Sequence, residues 1–177
     1  MRSLRRRWRV LSAAIATSLL MIGWPSMTAM AADGPNIAAG RTAAASTTSG
    51  DGTARNVTDG DQSTYWEGDG KKFPQWVQSD LGSSKRVDQV VLKLPAGWES
   101  RKQTLSLQGS ADGTSFATLK SSATYTFSKG AGNKVTVSFP ATKARFVRAN
   151  ITGNTAGKKA QLSELEIYGP ETGDTQA

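Results

Sequence analysis

Residues 75–94 read QWVQSDLGSSKRVDQVVLKL. Val77, Ser79 and Leu81 share one phase of its first half, and Val90, Leu92 and Leu94 share one phase of its second. Successive strand side chains point to opposite faces, so an apolar residue at every second position marks a strand half-buried against a core. Leu81-Gly82 punctuates the stretch with a turn signal, which predicts two strands, Gln75–Leu81 and Arg86–Leu94. Ser79 stands on the inward phase, where a hydroxyl needs a hydrogen-bond partner. The same alternation recurs downstream, in Lys102–Gly109 (Leu105, Leu107), Asn133–Phe139 (Val135, Val137, Phe139), Arg145–Thr152 (Val147, Ala149, Ile151) and Gln161–Gly169 (Leu165, Ile167). Turn signals at Asp69-Gly70, Pro95-Ala96-Gly97, Asp112-Gly113, Gly130-Ala131-Gly132 and Gly153-Asn154 separate these runs. No window after residue 32 keeps a helical apolar period, so the body reads as an all-β sandwich or barrel.

The chain has 177 residues and a formal charge of +8, unevenly spread. Arg2, Arg5, Arg6, Arg7 and Arg9 precede the apolar run of residues 10–24, and Ala29-Met30-Ala31 follows with small residues at the positions a signal peptidase reads. Residues 1–31 therefore read as a secretory signal peptide, and the run is too short to span a membrane comfortably. The Arg5-Arg6-Arg7-Trp8 run fits either the general or the twin-arginine export route. Cleavage after Ala31 leaves 146 residues carrying 17 basic and 14 acidic groups, enough for one domain and too evenly charged for a nucleic-acid binder. Residues 32–35 read as a leader. Residues 170–177 read as a disordered polar tail, since their Pro-Glu-Thr-Gly lacks the flanking elements of a wall-sorting signal. There is no Cys and no His, which removes disulfides, thiol nucleophiles, histidine acid–base chemistry and most zinc sites.

Two features carry chemistry. Asp59-Gly60-Asp61-Gln62-Ser63-Thr64 gathers two carboxylates and two hydroxyls into a tight turn, a donor set that suits Ca²⁺, although the spacing is not that of an EF-hand and an Asx turn without metal uses the same residues. The second feature is the distribution of tryptophan after residue 32. Trp76 lies inside a strand and is expected to pack, and Trp66, at the end of the acidic turn, is expected in the core. Trp98 sits in a polar loop beside Arg101, where an exposed indole offers a flat apolar face to a sugar ring and the guanidinium fork reads hydroxyls. Glu67 and Asn154, in other loops, would add acceptor and amide contacts. Lys71-Lys72 and Lys158-Lys159 read as solvated surface, with the second pair able to favour an acidic polymer.

The ordered set Asn36-Ile37-Ala38-Ala39-Gly40, Asn56–Trp66, Pro74–Gly82, Gly109–Phe116, Ala144–Arg148 and Leu162–Gly169 resembles discoidin, or coagulation-factor type C, domains over residues 36–169. Residues 94–105 look most like discoidin modules attached to secreted bacterial glucanases, relatives of family 32 carbohydrate-binding modules. The resemblance implies a galactose-binding-like jelly roll of about eight antiparallel strands. It also implies a structural Ca²⁺ held by Asn56 and Asp61 carbonyls, the Asp59 carboxylate, the Thr64 carbonyl and hydroxyl, the Ser163 carbonyl and the Glu164 carboxylate. Related modules often place a second aromatic after Asn154-Thr155, where this chain has Ala156-Gly157-Lys158-Lys159.

These readings converge on a secreted, extracellular, monomeric, non-catalytic module that binds a polysaccharide, a cell-wall or storage glucan, with no nucleic-acid partner and no membrane insertion after signal cleavage. The alternative is an adhesion module for a protein or an anionic lipid surface, since discoidin folds serve both. A glycosidase would need a carboxylate pair drawn from Asp59 or Asp61 with Glu164 or Glu166, groups better explained as metal ligands and strand surface.

Overall fold

The computed structural model describes residues 34–70 and 72–170. The expected signal segment, the first two leader residues and residues 171–177 lie outside it. Eight strands run in chain order: β1 (Thr42–Ala45), β2 (Trp66–Glu67), β3 (Gln75–Lys93), β4 (Arg101–Ser110), β5 (Ala117–Phe127), β6 (Lys134–Asn154), β7 (Gln161–Leu162) and β8 (Glu164–Tyr168). Every pairing is antiparallel. The all-β jelly-roll expectation holds.

β3 and β6 are the two long elements, and they build both layers. Gln75–Asp80 pairs with Phe146–Ile151, flanked by β1 on one side and by β4 then β5 on the other. Lys85–Lys93 pairs with Lys134–Ala144, flanked by β8. The register shifts between Asp80 and Lys85, so each long strand passes from one layer to the other without ending. The turn predicted at Leu81-Gly82 is thus an irregularity within one strand, and the strands expected at Asn133–Phe139 and Arg145–Thr152 are likewise one. Ser163 divides the last expected strand into β7 and β8.

The core lies between the layers. Val77, Leu105, Leu107, Val147, Ala149 and Ile151 from one layer meet Val90, Leu92, Val137, Leu165 and Ile167 from the other, all essentially buried. Their phases are those read from the sequence. Trp66 is fully buried, with its indole N–H donating to the Thr47 carbonyl at 2.9 Å. Two expectations need correction. Trp76 lies on the outward phase of β3, half-buried, with the Arg148 guanidinium 3.9 Å from its ring centre. Its neighbours Gln75 and Val77 take the inward places instead. Ser79 is fully buried as expected, but its hydroxyl has no hydrogen-bond partner.

Among the described residues no helix is long and apolar enough to cross a membrane.

Candidate functional site

The four residues singled out for ligand contact come from four different elements and meet at one end of the sandwich. Trp98 lies in the β3–β4 loop, Arg101 opens β4, Glu67 ends β2 and Asn154 ends β6. Gln161, which sequence reading did not single out, joins them. It stands opposite Glu67 in the β2–β7 pair. Its amide nitrogen donates to Glu67 Oε2 at 2.7 Å, and its amide oxygen accepts from Arg101 Nη1 at 2.8 Å and Asn154 Nδ2 at 3.3 Å. Lys159 completes the cluster, donating to Glu67 Oε1 at 2.7 Å and to the Ser49 hydroxyl. Burial tends to raise the Glu67 carboxyl, but the hydrogen bonds from Lys159 and Gln161 and the Lys159 charge together hold it below the ordinary glutamate value. The hydrogen bond to Glu67 lifts Lys159 in turn, so both are ionised at neutral pH.

Trp98 is half-buried at the margin of the core, less free than the polar loop around it suggested. The Tyr65 ring meets it edge-on at 4.6 Å, and the Arg101 guanidinium sits 4.5 Å from its centre. Asn154 is turned inward on its own loop: both amide hydrogens go to the Lys159 carbonyl and Gln161, and its oxygen accepts from Ala156 N. It shapes the loop and keeps a single free lone pair for a ligand. An open groove of about 550 Å³ lies beside this cluster, between the Glu67–Gly70 and Asn154–Gln161 segments, with Lys158 on its rim.

Three buried amides hold these loops in place, and sequence reading passed over all three. Gln75, 2% exposed, accepts from Ala160 N at 2.7 Å and donates to the carbonyls of Lys158 and Lys72 at 3.2 Å. Residue 68 must be glycine here, because a Cβ would stand 2.2 Å from the Gln75 amide oxygen. Gln103, fully buried, makes a reciprocal pair of bonds with the backbone of Gln161, at 2.8 and 3.2 Å. Asn133, also fully buried, donates to the carbonyls of Pro95 and Trp98 at 2.9 and 2.8 Å. Its φ of 53° lies in the left-handed region that Asn tolerates. The signal was present: Gln75 and Gln103 occupy the inward phases of their strands, where an amide must find partners.

The acidic turn is pre-folded. Asp59 Oδ1 accepts from Asp61 N at 2.9 Å and its Oδ2 from the Thr64 hydroxyl at 2.7 Å, while Asp61 Oδ1 accepts from Ser63 N and Oγ. The Asn56 side chain is committed to the Tyr65 carbonyl at 2.9 Å and to the Thr53 hydroxyl, so its carbonyl is the group left for an ion. Glu164 faces this turn from the start of β8. It is 2% exposed, and its Oε1 has no hydrogen-bond partner. Burial first, and then the charges of Asp59, Glu166 and Asp61, push its carboxyl up to about 7. A buried carboxylate facing two others is what a cation would relieve. Among the described residues no three acidic side chains converge closely enough to chelate an ion by themselves, so carbonyl and hydroxyl oxygens would complete the shell. The turn runs straight into Tyr65, Trp66 and Glu67, which couples it to the groove.

The family model for the F5/8 type C domain matches residues 42–165. No curated protein matches the sequence significantly. Among solved structures, the chain is similar to chitosan-binding module 1 from a chitosanase/glucanase of Paenibacillus sp. IK-5, at 33% identity and a TM-score of 0.61, covering 77% of this chain and 100% of that one. It is similar to the CBM32 of AlyQ, solved with 4,5-unsaturated mannuronic acid, at 28% identity and a TM-score of 0.60, covering 72% and 93%. It shares its fold with CpGH89CBM32-5 of Clostridium perfringens, solved with GalNAc-β-1,3-galactose, at 24% identity and a TM-score of 0.63, covering 73% and 95%. With the sandwich, the loop-end groove and the family match over most of its length, this chain belongs to the F5/8 type C, or discoidin, domain family.

Proposed function

We propose that this protein is a secreted, non-catalytic module that holds a polysaccharide at the loop end of its sandwich. The observation that carries the reading is the convergence of Trp98, Arg101, Glu67, Gln161 and Lys159 from separate elements beside one open groove. The half-exposed indole supplies an apolar surface for the C–H face of a pyranose, and Arg101, Glu67, Gln161 and the remaining Asn154 lone pair supply donors and acceptors for hydroxyls. Solved relatives at 28–33% identity are carbohydrate-binding modules, which supports the same class of ligand.

Non-catalytic status draws support from the carboxylates. Glu166 is engaged by Lys93 and Tyr168, Glu164 is buried against the acidic turn, and Asp59 and Asp61 are spent on that turn. None stands with a second free carboxylate in the groove, as glycoside hydrolysis requires. A structural Ca²⁺ at Asn56, Asp59, Asp61, Thr64, Ser163 and Glu164 would neutralise the buried Glu164 and fix the segment that carries Tyr65 and Glu67. Adhesion to lipid draws less support, because Phe73, a large apolar residue of the β2–β3 loop, packs against the core.

Retention of the purified domain on insoluble polysaccharides tests the reading, with anionic vesicles and protein-coated beads as the competing surfaces. Binding to a polysaccharide, a neutral cell-wall glucan included, supports it. Binding to vesicles or protein alone replaces it.

A further inference from the structure

The charges around the groove do not balance. Glu67 and Lys159 cancel each other across 2.7 Å. Asp69, which also faces Lys159, is folded back so that its carboxylate accepts from Gly70 N at 2.8 Å. Two cations remain. The Arg101 guanidinium is bound by the neutral amide of Gln161, the Glu99 carbonyl and the Trp98 ring. Lys158 is exposed on the groove rim. Among the described residues neither has a carboxylate within ion-pair distance.

Lys158 is not a floppy surface residue by its backbone. The buried Gln75 amide binds the Lys158 carbonyl and, through Ala160 N, the residue two positions on. Gly157, with a φ of 149°, lets the chain turn there and leaves no side chain between Lys158 and the groove. With its root fixed, only the rotamers of the lysine side chain remain to be ordered around a ligand charge.

We infer that the groove selects carboxylated polysaccharides, with Lys158 on one side and Arg101, behind Gln161, on the other meeting the carboxylate of a uronate residue. This rests on the proposed polysaccharide function and narrows it away from neutral glucans. The Trp98 face and the Gln161 and Glu67 contacts would hold the ring, and the two unpaired cations would choose the anionic sugar over its neutral counterpart. Complementary charge adds selectivity more than affinity at so exposed a rim.

The test compares polygalacturonate with the same polymer after full methyl esterification, alongside a neutral glucan, chitosan and dextran sulfate. Proteins are the wild type, Lys158→Gln and Lys143→Gln. Lys143 pairs with Arg86, eleven positions along β3 from Gln75, and serves as a charge-matched control. The expected result is retention by polygalacturonate over its ester, the neutral glucan and chitosan at low salt. Lys158→Gln should weaken polygalacturonate binding about three- to fivefold, the range of one exposed charge pair, and 0.5 M salt should erase the difference. Lys143→Gln should match the wild type. Equal binding to the ester or stronger binding to the neutral glucan overturns the inference and leaves the polysaccharide function standing. Equal loss in both lysine variants reduces it to ion exchange by overall charge. Tighter, Lys158-dependent binding to dextran sulfate moves the ligand to a sulfated sugar. Binding to none of the polymers removes the polysaccharide function as well.

Discussion

Trp98→Ala separates an indole that binds from one that packs. The structure gives Trp98 the packing role and the proposed function gives it the binding one, so on that reading the substitution lowers stability and affinity together, by calculable amounts. The edge contact with Tyr65 at 4.6 Å is worth about 0.5–1.5 kcal/mol. The Arg101 stack at 4.5 Å adds about 0.5–1 kcal/mol. With some buried apolar area at the core margin, the loss comes to roughly 2–3 kcal/mol, or about 5–10 °C in Tm for a domain of this size. That is a larger effect than a solvent-exposed loop residue would show. A stacked sugar ring is worth about 1.4–2 kcal/mol more, a ten- to thirtyfold loss of affinity. The assay is calorimetric Tm together with retention or titration on a bound polysaccharide, run at least 15 °C below the variant's midpoint so that the protein is folded. Trp98→Phe, which keeps an edge partner for Tyr65, should recover most of the Tm and only part of the affinity. A Trp98→Ala protein that melts early but binds like the wild type would refute the stacking role, and the indole would then be a cap on the sandwich.

Chelation or Asp59→Ala should lower Tm, since Ca²⁺ at a hundredfold excess over its dissociation constant stabilises the folded state by about 2.7 kcal/mol; unchanged melting in both would remove the metal. In the chelated domain Glu164 sets a pH dependence. Its carboxyl ionises near 4.5 unfolded and near 7 folded, so the fold favours the protonated form, and stability falls as pH rises through that window by up to about 3 kcal/mol. Added Ca²⁺ should flatten that slope, which denaturant titrations at pH 5 and 8 would show. Trp66→Ala empties a fully buried site and strands the Thr47 carbonyl, at about 3–5 kcal/mol, whereas Trp76→Ala loses an outward stack on Arg148 and should cost about 1–2 kcal/mol; equal losses would contradict the assigned faces. Mass spectrometry of secreted protein should find a chain beginning at Ala32, and a full-length chain held in the membrane fraction would contradict the signal reading.

The sheets were legible where alternation is strong. Val90, Leu92 and Leu94, or Val147, Ala149 and Ile151, can be placed on one face by counting, and each is buried. Continuity was not legible. The passage of β3 from one layer to the other runs through Leu-Gly-Ser-Ser-Lys, which carries the same turn residues as a true chain reversal. β5 was missed for a different reason. It is the outermost strand of its layer, ten of its eleven residues are exposed or partly exposed, and an edge strand with little to bury has no apolar alternation to display. Trp76 was misplaced because an indole inside a strand counts as core by type, while Gln75 and Val77 on the opposite phase show that it faces outward.

The site was half legible, and the division follows from what each residue binds. Trp98, Arg101 and Glu67 announce themselves because aromatic and charged loop residues have few structural reasons to be there. Gln75, Gln103, Asn133 and Gln161 do not, because an amide is equally at home on a surface. Their role follows from a deficit of backbone pairing. β2 and β7 are two residues each, too short to hold a loop against the main sheet by ladder bonds. Side-chain amides, with a donor and an acceptor in the geometry of a peptide group, make up the difference by binding the backbone of residues 158–161 directly. The groove is therefore fixed from behind, by groups buried away from solvent. Side chains at its rim, Ala156 and Lys158 among them, can change without moving the backbone that presents them. An aromatic in this loop and the Lys158 found here are then alternative occupants of one rigid frame. On the proposed function, the frame presents the loop and the rim residue would set which sugar it keeps.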